Sequence, residues 1–154
     1  MKQVGFVGAF DKTDLIIYIA KILTVLGKRV LIADTTITQK AKYVVPALNP
    51  TLSYITEFEE IDIAVGFKNV EAIANYTNRS IETLEYDYLL LDIDSAESAM
   101  NFRIDRSVQN FFVTSFDTYD IRRGIEILNQ FQNPIKMTKV LFSKEVTLSL
   151  IHIS

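Results

Sequence analysis

Residues 3–14 read QVGFVGAFDKTD, an apolar run that ends in a turn at Gly8. A helical pattern follows over 13–26, where apolar residues recur at i, i+3, i+4 and i+7. Gly27 stands directly after this pattern, where a helix stop belongs. A strand, a glycine-containing turn and a helix in this order predict the βα unit that opens a parallel sheet.

The remaining apolar runs are short, rich in β-branched and aromatic residues, and separated by helical patterns. This order is typical of an α/β fold in three layers with a doubly wound, mainly parallel sheet. The predicted strands are 3–8, 29–34, 61–66, 87–92, 110–115 and 138–143, with an edge strand over 146–153. The predicted helices are 13–26, 68–84 and 118–132, with a short helix near 52–59. We expect a single domain over 1–154 with about six or seven strands.

The composition suits a globular domain inside the cell. The chain has 154 residues, 49% of them apolar, and no cysteine, which excludes a disulfide scaffold and a zinc–thiolate site. Its formal charge of -3 gives no long-range attraction for a phosphate backbone, so nucleic acid is not an expected partner. Lys21, Lys28 and Arg29 interrupt the longest apolar stretch, and the first residues do not read as a secretory signal. We therefore expect a cytoplasmic protein without a transmembrane segment.

The ends of three predicted strands carry residues typical of a nucleotide site, because ligands of doubly wound sheets bind beyond the carboxyl ends of the strands. Lys12 and Thr13 open a helix after a glycine-containing turn, as at the end of a phosphate-binding loop. There, lysine reaches the β- and γ-phosphates and threonine binds magnesium. Asp92 ends an apolar strand, where an aspartate would hold that ion through water. Asp34 ends the second strand, and an aspartate at either position would equally well cap a turn.

These stretches resemble the ParA/MinD group of deviant P-loop ATPases, and the resemblance covers most of the chain. Residues 7–14 align with the group's K-G-G-V-G-K-T-T loop, and 27–36 (GKRVLIADTT) with its G-x-R-V-L-L-I-D-x-D strand. Residues 86–92 (YDYLLLD) match its Y-D-Y-hydrophobic-D strand, and 111–124 are similar to its next strand and helix. The resemblance implies a P-loop NTPase-like fold. It also implies nucleotide-binding positions at Gly8, Lys12, Thr13 and Asp14, and magnesium positions at Thr13, Asp34 and Asp92.

Several residues depart from the group's pattern. Val7 replaces the lysine that reaches the partner's nucleotide across the dimer, and Thr36 replaces an aspartate that positions the attacking water. Ala9 and Asp11 replace glycines, and Asp14 replaces a hydroxyl residue that would contact phosphate. Each added carboxylate opposes a phosphate by roughly 3 kcal/mol at about 5 Å. We therefore expect no required cofactor and, at most, weak binding of Mg-ATP.

The same loop has a purely structural interpretation. Asp11 is a good N-cap, Asp14 follows at the position of a capping box, and both complement the positive end of the helix. Lys12 would then pair with Asp11 or Asp14, or remain solvated. Capping is favoured over phosphate binding on this reasoning.

Three residues are candidates for a partner surface. Phe10, at the tip of the loop, would either plug the nucleotide site or face a partner. Arg122 and Arg123, together with Arg103 and Arg106, could form a basic patch, although a solvated helix face is the favoured interpretation.

The leading functional hypothesis is a degenerate ParA/MinD-like protein, more a protein-binding scaffold or regulator than an enzyme. It would help to place or assemble a larger machine of the pilus, secretion or partition type, and any homodimer would form without ATP. An active Mg-dependent ATPase is the first alternative. A dinucleotide-binding domain is the second, because Gly5, Gly8 and Asp11 imitate a glycine fingerprint and Asp34 stands where a ribose-binding acid would sit. The chain is either the whole protein or the N-terminal part of a longer one.

Overall fold

A computed structural model describes residues 1–36 and 53–141. The strands are β1 (Lys2–Val7), β2 (Val30–Asp34), β3 (Tyr54–Phe58), β4 (Ile61–Val65), β5 (Tyr88–Ile93), β6 (Gln109–Thr114) and β7 (Thr138–Leu141). The helices are α1 (Thr13–Val25), α2 (Val70–Tyr76), α3 (Ala96–Asn101) and α4 (Thr118–Asn129). Within the described residues, the strands form one sheet in the order β3-β4-β2-β5-β1-β6-β7.

The sheet is parallel apart from one antiparallel pair at its edge, β3 and β4. β5 lies between β1 and β2, so the carboxyl ends of these three strands meet at the centre of one sheet edge. The predicted α/β, doubly wound, mainly parallel architecture is confirmed.

Apolar side chains form two core clusters, one on each face of the sheet. On the first face, Ile16 and Ala20 of α1 pack against β1, β2, β4 and β5. On the second face, Ile73 of α2, Ala99 of α3 and Ile127 of α4 pack against the opposite side of the sheet. Among the helices in the two described ranges, α1 alone thus packs on the first face of the sheet. β2 is buried along its whole length because helices cover both of its sides.

The six strands predicted between residues 3 and 143 are confirmed to within two residues as β1, β2, β4, β5, β6 and β7. α1 ends as expected before Gly27, which has a φ of 83°. The predicted helix over 68–84 is too long. It ends at Tyr76 because Asn78 takes a left-handed φ of 57°, and a short 3-10 turn follows. The predicted helix over 118–132 ends at Asn129.

The short helix expected near 52–59 is wrong: residues 54–58 form β3. Glu59 and Glu60 both have positive φ values, of 49° and 69°, and make the tight two-residue turn that joins β3 to β4. The sequence interpretation also missed α3, whose first turn is capped by the Ser95 hydroxyl. The expected edge strand over 146–153 lies outside the described residues.

Candidate functional site

Four of the predicted site residues lie together at the carboxyl edge of the sheet. Lys12 and Thr13 come from the start of α1, Asp34 ends β2, and Asp92 is the last residue but one of β5. All four are buried, with 1%, 7%, 2% and 3% of their surface exposed, respectively. Strand ends that are neighbours in the sheet bring these residues together at one sheet edge.

The contacts of Lys12 differ from those that the sequence suggested. Its Nζ lies 2.8 Å from Oδ1 of Asp92 and donates a hydrogen bond of 2.9 Å to the carbonyl oxygen of Gly8. The expectation that Lys12 pairs with Asp11 or Asp14, or stays solvated, is therefore wrong. Lys12 is the N-cap residue of α1, and its buried side chain reaches Gly8 and Asp92. A buried ammonium requires a counter-charge, and Asp92 supplies it.

Two oxygens of this site lack a hydrogen-bond partner among the described residues. They are Oγ1 of Thr13 and Oδ1 of Asp92. The Asp92 oxygen is at ion-pair distance from Lys12, but the contact lacks the angles of a hydrogen bond. Thr13, Asp34 and Asp92 line one cavity of about 10 Å³, which is enough for a single water molecule.

Asp34 is held by Thr36, the residue that replaces the second aspartate of the ParA/MinD pattern. Oδ1 of Asp34 accepts hydrogen bonds from the Thr36 backbone N–H at 2.9 Å and from its hydroxyl at 2.5 Å. Burial and, to a lesser degree, the negative charge of Asp34 raise the pKa of Tyr54. The sequence interpretation missed Tyr54 as a neighbour of this site because it assigned the segment of β3 to a helix.

The loop between β1 and α1 is held by its own contacts. A Cβ on Gly8 would lie 2.0 Å from the carbonyl oxygen of Val113, so this glycine permits a close approach of β1 to β6. Oδ1 of Asp11 accepts a hydrogen bond of 3.1 Å from the Thr13 backbone N–H. The prediction that Asp11 is the N-cap is therefore wrong, because Lys12 is the N-cap and Asp11, one residue before it, binds the Thr13 N–H instead. Asp14 is exposed on the first turn of α1.

The predicted partner-surface residues do not come together. Phe10 is half-buried and packs against the core cluster on the α1 face. Arg122 and Arg123 are exposed on α4, on the opposite face, and Arg123 pairs with Glu126 at 3.2 Å. Sequence reasoning gave no role to the exposed ring of Tyr119 at the start of the same helix.

The residues that could hold magnesium are already engaged in part by Lys12. Oγ1 of Thr13 and the carboxylates of Asp34 and Asp92 are oxygen ligands of the kind that magnesium prefers. Oδ1 of Asp92 faces the Lys12 ammonium, however, and no group of three carboxylate, histidine or cysteine side chains converges on one point in the described residues. A triphosphate does not fit the arrangement present. The lysine that would bind it is engaged by Asp92 and Gly8, and Asp11 occupies a backbone donor that would face it.

Solved structures of MinD and ParA-family proteins share this architecture. A chain of the MinC:MinD cell division protein complex from Aquifex aeolicus superposes with a TM-score of 0.61 and 15% identity, over 97% of this chain and 72% of that chain. A ParA-family ATPase from Chlorobium tepidum TLS superposes with a TM-score of 0.54 and 16% identity, over 91% of this chain and 72% of that chain. A plasmid partition protein from Borrelia burgdorferi superposes with a TM-score of 0.55 and 11% identity, over 99% of this chain and 86% of that chain.

The chain therefore has a ParA/MinD-like, P-loop NTPase-type fold, and at these identities the likeness concerns the fold alone. No protein-family model and no curated protein matches the sequence. In the parts of the chain that the structure describes, no helix has the length and apolar character needed to cross a bilayer.

Proposed function

We propose that this chain is a degenerate ParA/MinD-like protein that acts by binding other proteins, with weak or no ATP hydrolysis. It would serve as a scaffold or regulator that places or assembles a larger machine of the pilus, secretion or partition type. A protein partner is in keeping with the MinC:MinD complex, in which a protein of this fold is bound to another protein. No cofactor is required for this role.

The internal engagement of Lys12 carries the proposal. Its ammonium is 1% exposed and already has a carboxylate at 2.8 Å and a carbonyl at 2.9 Å. To reach a phosphate, Lys12 would have to abandon Asp92 and leave that carboxylate buried without a counter-charge. Breaking a buried pair in this way costs about 3–5 kcal/mol, which is equivalent to two or more powers of ten in affinity.

Two further substitutions support a loss of ATPase activity. Val7 stands where the resembling group has the lysine that reaches across the dimer, and it is completely buried in the core of the second face. Thr36 stands where that group positions water with an aspartate, and its hydroxyl is bound to Asp34. Neither residue can perform the role that the resemblance assigns to its position.

An active Mg-dependent ATPase is the second candidate, and one observation favours it. Oγ1 of Thr13 and Oδ1 of Asp92 are buried without hydrogen-bond partners, and Thr13, Asp34 and Asp92 are the polar residues that line one small cavity among four isoleucines. These residues would hold magnesium, which would neutralise phosphate charge when bound. The dinucleotide alternative has no such support, because the close approach of strands explains Gly8 and because Thr36 engages Asp34.

Isothermal titration calorimetry with Mg-ATP separates the two candidates. We expect no binding at micromolar ATP by the wild-type protein, and no release of inorganic phosphate above that of buffer. The matched variant Asp11→Gly/Asp14→Thr removes both added carboxylates, and we expect it to bind ATP more tightly than the wild type. Micromolar binding with turnover by the wild type, abolished by Lys12→Ala, would overturn the proposal in favour of the ATPase.

A further inference from the structure

Two buried carboxylates lie side by side at the candidate site. Asp34 and Asp92 are register partners on the neighbouring parallel strands β2 and β5, and such strands are about 4.8 Å apart. Both residues line the cavity that Thr13 also lines, and they are only 2% and 3% exposed. A buried carboxylate is either paired with a positive side chain or bound to a metal ion, because an isolated charge is too costly in the interior. These strand ends therefore need a compensating cation.

The ammonium of Lys12 supplies this positive charge from within the chain. Its Nζ lies 2.8 Å from Oδ1 of Asp92, and the bond to the carbonyl oxygen of Gly8 at 2.9 Å holds it in place. Oδ1 of Asp92 accepts no hydrogen bond from any described residue. The charge of Lys12 is therefore the compensation that this oxygen receives.

A free divalent cation competes poorly with this lysine. Lys12 is tethered to the same chain, so its ammonium has a high effective concentration beside Asp92. A magnesium ion would have to displace the ammonium, and magnesium loses its bound water reluctantly. The cavity beside Asp92 has a volume of about 10 Å³, which leaves no room for a hydrated ion.

We propose that the ammonium of Lys12 permanently takes the place of the metal ion that the resembling group would bind at these strand ends. The chain itself fills the site, so the free protein neither needs nor takes up a divalent cation. This inference goes beyond the proposed function, because it concerns the protein without nucleotide and holds whatever its partner is.

The oxygen atoms suited to a divalent cation nevertheless remain at the site. They belong to the hydroxyl of Thr13 and to the carboxylates of Asp34 and Asp92, which are ligands that magnesium and manganese prefer. Removal of the ammonium would leave both the space and the negative charge for a metal ion. Lys12→Ala should therefore bind one divalent cation per chain, whereas the wild type should bind none at these residues.

Electron paramagnetic resonance of added Mn²⁺, without nucleotide, measures this binding in the full chain. We expect the dissociation constant for Mn²⁺ to be at least about tenfold lower in Lys12→Ala than in the wild type. Lys12→Ala/Asp92→Asn also removes the carboxylate and should lose this binding. Lys136→Ala, which removes an exposed lysine, is the matched control and should behave like the wild type.

Thermal unfolding with and without MgCl₂ gives a second measurement, which also serves if a variant is unstable. A cation that binds the folded state raises its stability, so MgCl₂ should raise the melting temperature of Lys12→Ala and of the milder Lys12→Gln. The wild type and Lys136→Ala should respond equally little. Mn²⁺ binding by the wild type at these residues would overturn the proposal, as would Lys12 variants that neither bind Mn²⁺ nor gain stability from MgCl₂. Since no nucleotide is added, either failure is distinct from the ATP binding that would overturn the proposed function.

Discussion

Replacement of Lys12 by methionine tests whether the buried ion pair holds the candidate site together. Methionine preserves most of the apolar stem of lysine and removes the ammonium. Asp92, whose side chain is 4% exposed, then loses the cation at 2.8 Å, and the carbonyl of Gly8 loses its donor at 2.9 Å. We expect Lys12→Met to lower the free energy of unfolding.

The expected loss is about 3–5 kcal/mol, because one partner is removed from a buried pair and the other remains charged in the interior. A domain of this size has a total stability of about 5–15 kcal/mol. The variant should therefore unfold at a urea concentration roughly 2 M lower than the wild type. Lys136→Met, which removes an exposed lysine, is the matched control and should change the stability by no more than about 0.5 kcal/mol.

A double-mutant cycle separates the pair from its parts. Asp92→Val alone leaves the ammonium of Lys12 buried without its carboxylate, so it should be as costly as Lys12→Met. The double variant Lys12→Met/Asp92→Val removes both charges and should lie within about 1 kcal/mol of the wild type. Urea unfolding followed by circular dichroism measures all four proteins.

Two results would refute this reasoning. A loss below about 1 kcal/mol for Lys12→Met would mean that the pair contributes little and that Lys12 is available to a ligand. Additive losses in the double variant would mean that the two side chains act independently. Either result would remove the observation on which the proposed loss of nucleotide binding depends.

Three further changes have defined outcomes. Gly8→Ala should lower the free energy of unfolding by at least about 3 kcal/mol, because its Cβ would lie 2.0 Å from the carbonyl oxygen of Val113, and urea unfolding measures this. Glu60→Gly should raise it by about 0.5 kcal/mol, because a φ of 69° strains a residue with a side chain; thermal unfolding measures this. Burial, the hydrogen bond to Asp62 and the negative charge of Asp62 raise the pKa of Tyr86. Above pH 10, Tyr86 therefore stays neutral in the folded protein but loses its proton in the unfolded chain. Stability should therefore fall as the pH rises from about 10 toward the folded pKa, as measured by urea unfolding at stepped pH.

A second variant or a contrary result tests each of these expectations. Gly27→Ala places its Cβ in open space, and only the φ of 83° opposes it, so we expect it to lower the free energy of unfolding by about 1 kcal/mol. An equally small loss for Gly8→Ala would exclude a clash at Gly8. A decrease in stability on Glu60→Gly would mean that the turn is not strained. Asp62→Asn should lower the pKa of Tyr86 in an absorbance titration without abolishing the shift, because burial is its largest cause.

The buried strands could be predicted from the sequence because burial on both faces leaves an apolar run that few other structures produce. β2 and β5 are of this kind, and both were located within one residue. β3 could not be recognised in this way. It is a short, half-buried edge strand whose pairing depends on the left-handed turn at Glu59 and Glu60, residues that rarely adopt such angles.

The candidate site was predictable in position but not in its contacts. That Thr13, Asp34 and Asp92 meet follows from the order of the strands, since each stands at a strand end or a helix start. The direction of the Lys12 side chain does not follow from spacing, because it depends on how Gly8 approaches β6 and how the loop then turns. Tyr54 was missed because its segment was assigned to a helix, whereas the pairing of β3 with β4 brings it near Asp34.

The position of β1 in the sheet has a consequence for synthesis on the ribosome. β1 pairs only with β5 and β6, beginning with Lys2 beside Tyr88, so its neighbours emerge when more than half of the chain has been made. Translation adds about 5–20 residues per second, which leaves β1 and the apolar helix that follows it without a sheet for several seconds. Such long-range parallel pairing also folds slowly. Among the described strands, β1 thus waits longest for its partners, and the opening βα unit keeps its apolar surfaces exposed for that time.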